Sequence, residues 1–393
     1  MSWLAQLAAA LTLFGIGYHC FVLLAALRFI GRAGRWRRLP DYVPPVTVLK
    51  PLKGADRELF ANLETFCRQD YPTFQIVFGV DTPDDPAAEV VRRLQRAHPD
   101  RDLVLSIGAG EAANGKIGKL MQMIEHAAHP VLVLSDADIR VEPTYLRTMV
   151  RPLQRADVGL STCLYRGRGR PGLATRLECL FIDTDFVPMV LIGDWIGIRA
   201  AYGASIAFKR DALEAAGGFA VAADQLADDY VLGQRVAAAG WKIAVLPDMV
   251  ETVLESETVG EVWRHQMRWA RTYRACQPFG WLLAAVIQLT AWACVLWLAN
   301  GGASPAPELL AAALGVRLSV LTAVMLLVGR RDAPLRFWLL PAKDLVTSAL
   351  WLGSWLGREV EWGGRRFRVE SDGRMIRLPA PACPAPSLAA PSP

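Results

Sequence analysis

The feature that most constrains this chain is an uncharged apolar run from Trp3 to Leu27. It is long enough for the roughly 20 residues that a membrane-spanning helix needs. A cleaved signal peptide is the alternative, but the run is longer than a typical signal segment, follows no basic stretch and ends without a small-residue cleavage site. We therefore predict an N-terminal transmembrane anchor over residues 1–28.

Positive charge follows the anchor directly. The arginines that follow it are Arg28, Arg32, Arg35, Arg37 and Arg38. The positive-inside rule places them in the cytosol, which predicts a multi-pass protein of the inner (cytoplasmic) membrane with its main domain in the cytosol. The net charge is only +5, and the arginines cluster beside apolar runs. This favours anionic lipid or phosphate as a partner and argues against nucleic acid.

Residues 40–257 change to short β-rich runs that alternate with helical segments. The strand candidates are VTVLKPL, QIVFGVD, LVLSIG and VLVLSDAD, and segments such as AAEVVRRLQRAH between them have helical apolar spacing. This order predicts an α/β domain, with a mainly parallel sheet and helices on both faces. In such sheets ligands bind beyond the carboxyl ends of the strands.

Acidic residues follow two of the predicted strands. Asp81, Asp84 and Asp85 follow the second strand, and Asp136 and Asp138 follow the fourth. Two carboxylates at i and i+2 of an extended segment point to the same side, where they can share a hard cation with a diphosphate. The alternative is that these residues only end strands and cap helices.

Two later segments also place polar groups where a helix begins. Asn114 and Lys116 open one predicted helix, where backbone amides and a lysine can meet phosphate, although a solvated loop is the default for them. Asp228 and Asp229 open another. Capping explains one of these two, and the other can serve as a general base. The small-residue turn at Gly203 lets a substrate approach the backbone.

The segment WRHQMRWARTYRA, residues 263–275, precedes a second apolar region. At the helical period His265, Arg268 and Trp269 share one face. On this face Arg268 can stabilise the negative charge of a leaving diphosphate, and Trp269 can form one wall of a sugar-binding site. The outer arginines suit anionic headgroups. We therefore predict an interfacial helix with the HQMRW motif over residues 258–277. The alternative is a basic juxtamembrane helix with no further role.

Residues 278–357 are predicted to form a C-terminal membrane region. Phe279 to Ala299 is uncharged and should span. Leu309 to Val328 contains Arg317, and residues 337–356 contain Lys343 and Asp344, so these charges should pair or lie near an interface. A third crossing would export the basic residues that follow, so we predict that residues 337–356 are re-entrant or interfacial. Residues 358–393 should be a cytosolic basic segment with a disordered Pro/Ala-rich tail.

Over about residues 3–370 the chain resembles the membrane glycosyltransferases of the ceramide glucosyltransferase type, a branch of the inverting GT-A superfamily. The segments that carry the resemblance are VTVLKPLKG, NLETFCRQDYP, DDPA, SDADIRV, LADDY and HQMRW. CLYRGR and WRHQMRWARTYRA are most similar to bacterial glycosyltransferases associated with hopanoid biosynthesis. The chain departs from the family at His265, where Gln or Arg is usual, and at Asp183 to Pro188, which replaces a histidine-bearing acceptor segment.

The resemblance implies a role for each candidate residue. The catalytic residues would be Asp229, as base, and Arg268. The donor would contact Lys50, Asp81, Asp84, Asp85, Asn114, Lys116, Asp136, His265, Arg268 and Trp269. The acceptor would contact Gly203, Ser205, Asp228 and Trp269. Mg²⁺ or Mn²⁺ would be held by Asp136 and Asp138.

The expected function is transfer of N-acetylglucosamine or glucose from a UDP-sugar to a membrane lipid, in particular a hopanoid of the bacteriohopanetetrol type. Glucosylceramide synthesis is one alternative, and a non-enzymatic membrane scaffold or transporter is another. A processive polysaccharide synthase would need more helices to build a secretion channel. Association with other enzymes of lipid biosynthesis is also expected.

Overall fold

The computed structural model describes residues 2–379. The final part of the tail predicted to be disordered, residues 380–393, lies outside the described residues. The helices are α1 Trp3–Arg37, α2 Leu59–Cys67, α3 Pro86–Ala97, α4 Gly115–Met123, α5 Tyr145–Val150, α6 Leu173–Phe181, α7 Val187–Ile196, α8 Arg210–Ala215, α9 Asp228–Ala238, α10 Val259–Cys276, α11 Pro278–Leu283, α12 Leu289–Ala299, α13 Ala306–Leu327 and α14 Leu340–Ser354. The strands are β1 Val46–Pro51, β2 Phe74–Val80, β3 Asp102–Ile107, β4 Val131–Ser135, β5 Ile139–Arg140, β6 Val158–Gly169, β7 Ser205–Lys209, β8 Lys242–Leu254, β9 Glu359–Trp362, β10 Arg365–Val369 and β11 Met375–Arg377.

An eight-stranded sheet in the order β3-β2-β1-β4-β7-β6-β8-β5 organises the central region. β1, β2, β3 and β4 pair in parallel, as do β6 and β8. β7 runs antiparallel between β4 and β6, and the short β5 runs antiparallel on the edge. The prediction of a mainly parallel sheet is therefore confirmed.

Helices cover both faces of this sheet because the strands alternate their apolar side chains. Val131 and Val133 of β4 pack with α2 and α3 in one buried cluster. Leu132 and Leu134 pack with α4 and α9 in another. β1, β2 and β4 are buried along their whole length, which is typical of strands covered on both faces.

Two helices among the described residues, α1 and α13, are long and apolar enough to cross a membrane. They pack on each other and on α12. Arg317 on α13 donates to Asp344 on α14 through Nη2 at 2.5 Å, and Lys343 reaches Asp185 at 2.5 Å. The prediction that these charges pair is confirmed. The length and hydropathy of α1 and α13 indicate association with a membrane.

Phe279 to Ala299 does not form one continuous helix, and its crossing of the membrane stays a prediction. α11 ends at Leu283, and α12 begins only at Leu289. The indole Nε1 of Trp292 donates to the carbonyl of Ala285 at 2.7 Å. This carbonyl therefore has a hydrogen-bond partner although the helix is interrupted there. Absence of charge shows that a segment tolerates lipid, but it does not show that the helix is continuous.

The chain returns after α14 to the central domain. There β9, β10 and β11 form a small antiparallel sheet that the sequence did not predict. The N–H of Leu226 donates to Gly373 at 3.1 Å, and the N–H of Met375 donates to Asp224 at 2.7 Å. The small sheet therefore holds the loop that immediately precedes α9. The re-entrant or interfacial placement of residues 337–356 stays a prediction.

Candidate active site

Lys116 connects carboxylates from two distant parts of the chain. Its Nζ lies 2.7 Å from Oδ1 of Asp136 and 3.1 Å from Oδ2 of Asp228. Asp136 follows β4, and Asp228 begins α9, so both halves meet at the carboxyl end of β4. Although burial opposes it, the two carboxylates raise the pKa of Lys116 above its usual value. Lys116 therefore stays charged.

Asn114 sets the position of Lys116. Its side-chain oxygen caps α4, accepting from the N–H groups of Lys116 at 3.0 Å and Ile117 at 3.1 Å. Its Nδ2 donates to the carbonyl of Gln225 at 2.9 Å, just ahead of α9. Asn114 is fully buried. It therefore acts in this structure as a link between Lys116 and the loop that leads to Asp228.

Asp138 follows Asp136 by two residues and forms no salt bridge within residues 2–379. Burial and the neighbouring Asp136 raise the pKa of Asp138, while Thr252 donates to it at 2.6 Å. The described residues contain no cluster of three or more His, Cys, Asp or Glu side chains that could hold a metal ion. Two carboxylates are nevertheless enough protein ligands for Mg²⁺, because this ion keeps several waters and also binds substrate phosphates. The donor set therefore fits a divalent cation.

Asp229 is held in one orientation by the backbone. Its Oδ2 accepts from the N–H of Gly203 at 2.7 Å, and its Oδ1 accepts from the N–H of Tyr230 at 2.7 Å. Burial and the adjacent Asp228 raise the pKa of Asp229 to about 6. This carboxylate is a stronger base than an ordinary aspartate, and it is still ionised at neutral pH.

Five aromatic side chains pack together near Asp229. We call this group the aromatic cluster: Tyr165, Phe186, Tyr202, Trp269 and Tyr273. The ring of Tyr165 stacks on Phe186 with centroids 4.1 Å apart, and Phe186 meets Tyr202 edge-on at 5.6 Å. Trp269 contacts Tyr165 at 6.3 Å and Tyr273 at 6.5 Å. Tyr202 directly precedes Gly203, whose N–H donates to Asp229, so this part of the cluster adjoins the carboxylate. Burial and then the charge of Asp229 raise the pKa of Tyr273.

α10 brings the HQMRW residues to this site. Thr258 and Glu261 form a capping box that fixes its start. His265 donates through Nδ1 to Glu178 and meets Trp269 edge-on at 5.1 Å, so the predicted shared face exists. Burial lowers the pKa of Arg268, and the charge of Asp136 most strongly opposes this shift. Arg268 therefore adds positive charge within electrostatic reach of Asp136.

Asp81, Asp84 and Asp85 are not part of the Lys116 cluster. Asp81 accepts from Lys119 at 2.8 Å, and Asp84 is exposed. Asp85 caps α3 through Ala87 N–H at 2.9 Å and also accepts from the N–H of Gly54 at 2.9 Å. The capping alternative is therefore realised at Asp85, which in addition fixes the loop after β1.

Lys50 and Ser205 lie beneath the site. Lys50 is fully buried, and its Nζ donates to the carbonyl of Asp136 at 2.5 Å. Ser205 is fully buried too, and its hydroxyl shares a hydrogen bond of 2.5 Å with Tyr145. In this structure Lys50 therefore binds the backbone after β4, and the Ser205 hydroxyl is engaged with Tyr145.

Glu178 and Tyr273 were missed by the sequence reasoning. Tyr273 lies one further i+4 step along the face of His265 and Trp269, so extending the period would have found it. Glu178 is an isolated carboxylate in an otherwise apolar part of α6, which is a weaker signal.

Of the three arginines of α10 that were expected to meet headgroups, Arg264, Arg271 and Arg274, the last two bind the C-terminal segment. Arg274 donates to the carbonyl of Gly357 at 2.7 Å, and its guanidinium lies 5.6 Å from the ring centroid of Trp355. Arg271 donates to the carbonyl of Glu359. These two side chains therefore join α10 to the chain between α14 and β9.

The sheet and this site define a glycosyltransferase of the GT-A class. The same fold is seen in the mannosyltransferase PcManGT from Pyrobaculum calidifontis, solved in complex with GDP-Man and Mn2+. The two share 23% identity with a TM-score of 0.52, and the match covers 89% of this chain and 99% of that one. The family model described as Glycosyl transferase family 21 matches residues 7–375, and the chain belongs to this family.

Curated relatives include ceramide glucosyltransferases. Ceramide glucosyltransferase 1 of Caenorhabditis elegans is 28% identical over 238 residues, covering 60% of this chain and 51% of that protein. Ceramide glucosyltransferase of Komagataella phaffii is 30% identical over 139 residues, covering 34% of this chain and 27% of that protein. The chain thus spans about half the length, or less, of these relatives.

Proposed function

We propose that this chain is an inverting, multi-pass membrane glycosyltransferase that moves a sugar from a cytosolic UDP-sugar to a hydroxyl of a membrane lipid of the inner membrane. The observation that carries the proposal is the fixed carboxylate of Asp229 beside the Lys116–Asp136 pair. Membership of family 21 supports sugar transfer. The two apolar helices and the ceramide glucosyltransferase relatives support a lipid acceptor.

Asp136 and Asp138 would hold Mg²⁺ or Mn²⁺, which when bound neutralises the diphosphate of the donor. The complex of PcManGT with GDP-Man and Mn2+ supports this assignment. Lys116 and Arg268 supply fixed positive charge at the same place, where the leaving UDP gains negative charge. Because the side chain of Lys116 is largely buried and that of Arg268 is partly buried, water screens their charges less than at the surface.

Asp229 would remove the proton from the acceptor hydroxyl. The acceptor oxygen forms a bond to the anomeric carbon as the bond from that carbon to the UDP oxygen breaks, and the proton passes to Asp229. One displacement of this kind inverts the anomeric configuration and gives a β-linked product. The hydrogen bond from Gly203 keeps the carboxylate aimed at the acceptor.

The aromatic cluster gives the acceptor side of Asp229 an apolar wall. We propose a hopanoid of the bacteriohopanetetrol type as acceptor, since its ring system can stay in the bilayer and its hydroxylated end can reach Asp229. Ceramide is the second candidate, and the curated relatives favour it. The donor sugar is N-acetylglucosamine or glucose. Association with other enzymes of lipid biosynthesis belongs to the same proposal.

Mass spectrometry of lipids from cells with and without the gene tests this function. A lipid heavier by one hexose or one N-acetylhexosamine is expected only when the gene is present, and its mass identifies acceptor and sugar together. Cells that express Asp229→Asn are the matched control and should lack the product. Identical lipid profiles in all three strains would contradict the proposal.

A further inference from the structure

A cavity distinct from the Asp229 site lies where the apolar part of α1 ends. Its volume is about 240 Å³, and it opens between α1, the end of α7 and β8. Its charged lining consists of Arg28, Arg32, Arg199 and Asp194, so positive charge exceeds negative charge. The cavity is separate from the site of Asp229 and has no part in the proposed transfer.

The arginines of this cavity are partly fixed. The guanidinium of Arg28 lies 4.5 Å from the ring centroid of Trp195 and donates to the carbonyl of the same residue at 3.2 Å. Arg32 pairs with Asp194 at 3.2 Å. Arg199 is exposed. Since a guanidinium carries five donors, Arg28 keeps donors for a further acceptor, and one carboxylate does not balance three arginines.

Exposed apolar side chains precede the lining residues on α1 and at the end of α7. Leu24 and Leu27, the last leucines before Arg28, are 55% and 50% exposed, and Ile196 at the end of α7 is 62% exposed. α1 is one of the helices long and apolar enough to cross a membrane. An apolar strip that ends in a cluster of arginines is suited to an amphiphile with a negatively charged headgroup.

We propose that this cavity binds the phosphate headgroup of an anionic phospholipid. The phosphate contacts Arg28 and Arg199, and the acyl chains lie along Leu24, Leu27 and Ile196. Because Ile243 and Val245 of β8 also line the cavity, the lipid connects the anchor with the catalytic sheet. Its binding holds the domain at a fixed orientation to the membrane surface, and this inference does not depend on the sugar or the acceptor.

Native mass spectrometry of the full chain in a neutral detergent tests the inference. The probes are phosphatidylglycerol, phosphatidylcholine and inorganic phosphate. We expect phosphatidylglycerol to be retained in preference to phosphatidylcholine. At about 1 kcal/mol for each arginine near a headgroup, Arg28→Gln with Arg199→Gln should weaken phosphatidylglycerol binding roughly 20- to 30-fold.

The matched control is Arg92→Gln with Arg93→Gln. Both arginines are exposed on α3, which packs on β2 and β3, whereas α1 contacts β8 near the other end of the sheet. The control should bind phosphatidylglycerol as the wild type does. Arg199→Gln alone, at an exposed position, keeps the test valid if the double variant unfolds, and it should weaken binding about 5-fold.

Three outcomes would overturn the inference. They are equal retention of phosphatidylglycerol and phosphatidylcholine, equal loss in the control and the test variants, and displacement of the lipid by millimolar inorganic phosphate. The last result would assign the cavity to a free anion.

Discussion

The Oδ2 atom of Asp229 accepts a hydrogen bond from the N–H of Gly203 at 2.7 Å, and a Cβ atom at position 203 would lie 3.1 Å from that oxygen. Gly203→Ala should therefore push the carboxylate aside by a few tenths of an ångström. Because a misplaced catalytic group costs up to about 100-fold in rate, we expect kcat to decrease by roughly 10- to 100-fold with little change in KM for the donor. Steady-state kinetics with a UDP-sugar and a lipid acceptor measure this.

Gly172→Ala is the matched control for that substitution. Its φ of −179° is extended, and no atom lies within 4 Å of a Cβ at that position. This variant should keep wild-type kcat. Equal losses in the two variants would show that the contact with Asp229 is not the cause.

The pH profile should report the ionisation of Asp229. Burial and Asp228 raise its pKa to about 6, and a general base must be unprotonated. We expect kcat/KM to increase with pH up to about 6 and to level off above it. Asp228→Asn removes a like charge, so the increase should move to lower pH. A profile that is flat between pH 5 and 8 would be incompatible with this base.

Removal of divalent cations should stop transfer. Under this proposal Asp136 and Asp138 would provide only two carboxylates for the ion, so it should leave readily when no donor is bound. Treatment with EDTA is expected to lower the rate by about 100-fold or more, and added Mn²⁺ or Mg²⁺ should restore it. Activity assays before and after dialysis measure the effect, and full activity in EDTA would exclude a required metal.

The pair between Arg317 and Asp344 should stabilise the helices near the membrane. Arg317 also bonds Nε2 of His19 at 2.5 Å, so it joins α1, α13 and α14. Arg317→Leu leaves Asp344 without its main partner and should destabilise the protein by about 3–5 kcal/mol, measured by denaturation in detergent.

A double variant separates pairing from packing. Arg317→Leu with Asp344→Leu removes both charges and leaves Lys343 paired with Asp185. It should be less destabilised than the single variant. Equal stability of the two variants would show that the unpaired charge is not what costs stability.

Local patterns were sufficient for half of the sheet. The apolar runs of β1, β2 and β4 have a length and composition typical of buried parallel strands. The insertion of β7 between β4 and β6 was not predictable, since periodicity identifies a strand but not its neighbours. The break between α11 and α12 and the small sheet of β9 to β11 depend on tertiary contacts of the same kind.

The residues of the candidate site also include some that could be predicted from the sequence and some that could not. Asp136, Asp228 and Lys116 were predictable because each stands at a strand end or a helix start, and such positions converge in an α/β fold. The orientation of Lys50 and Ser205 was not predictable. The Nζ of Lys50 lies 3.8 Å from the ring centroid of Phe66, and the hydroxyl of Ser205 shares a hydrogen bond with Tyr145. Neither of these neighbours is close in sequence.

The transfer rate of the Asp229→Asn variant tests the role of Asp229 as the general base. The asparagine has the same shape and can still accept from Gly203, so UDP-sugar binding should stay within about 2-fold of wild type. Transfer to the lipid should decrease by about 100- to 10,000-fold, the usual contribution of a general base. Calorimetry measures the first quantity and a radiolabelled-sugar assay the second. Turnover near the wild-type rate with intact donor binding would contradict the central claim that Asp229 activates the acceptor.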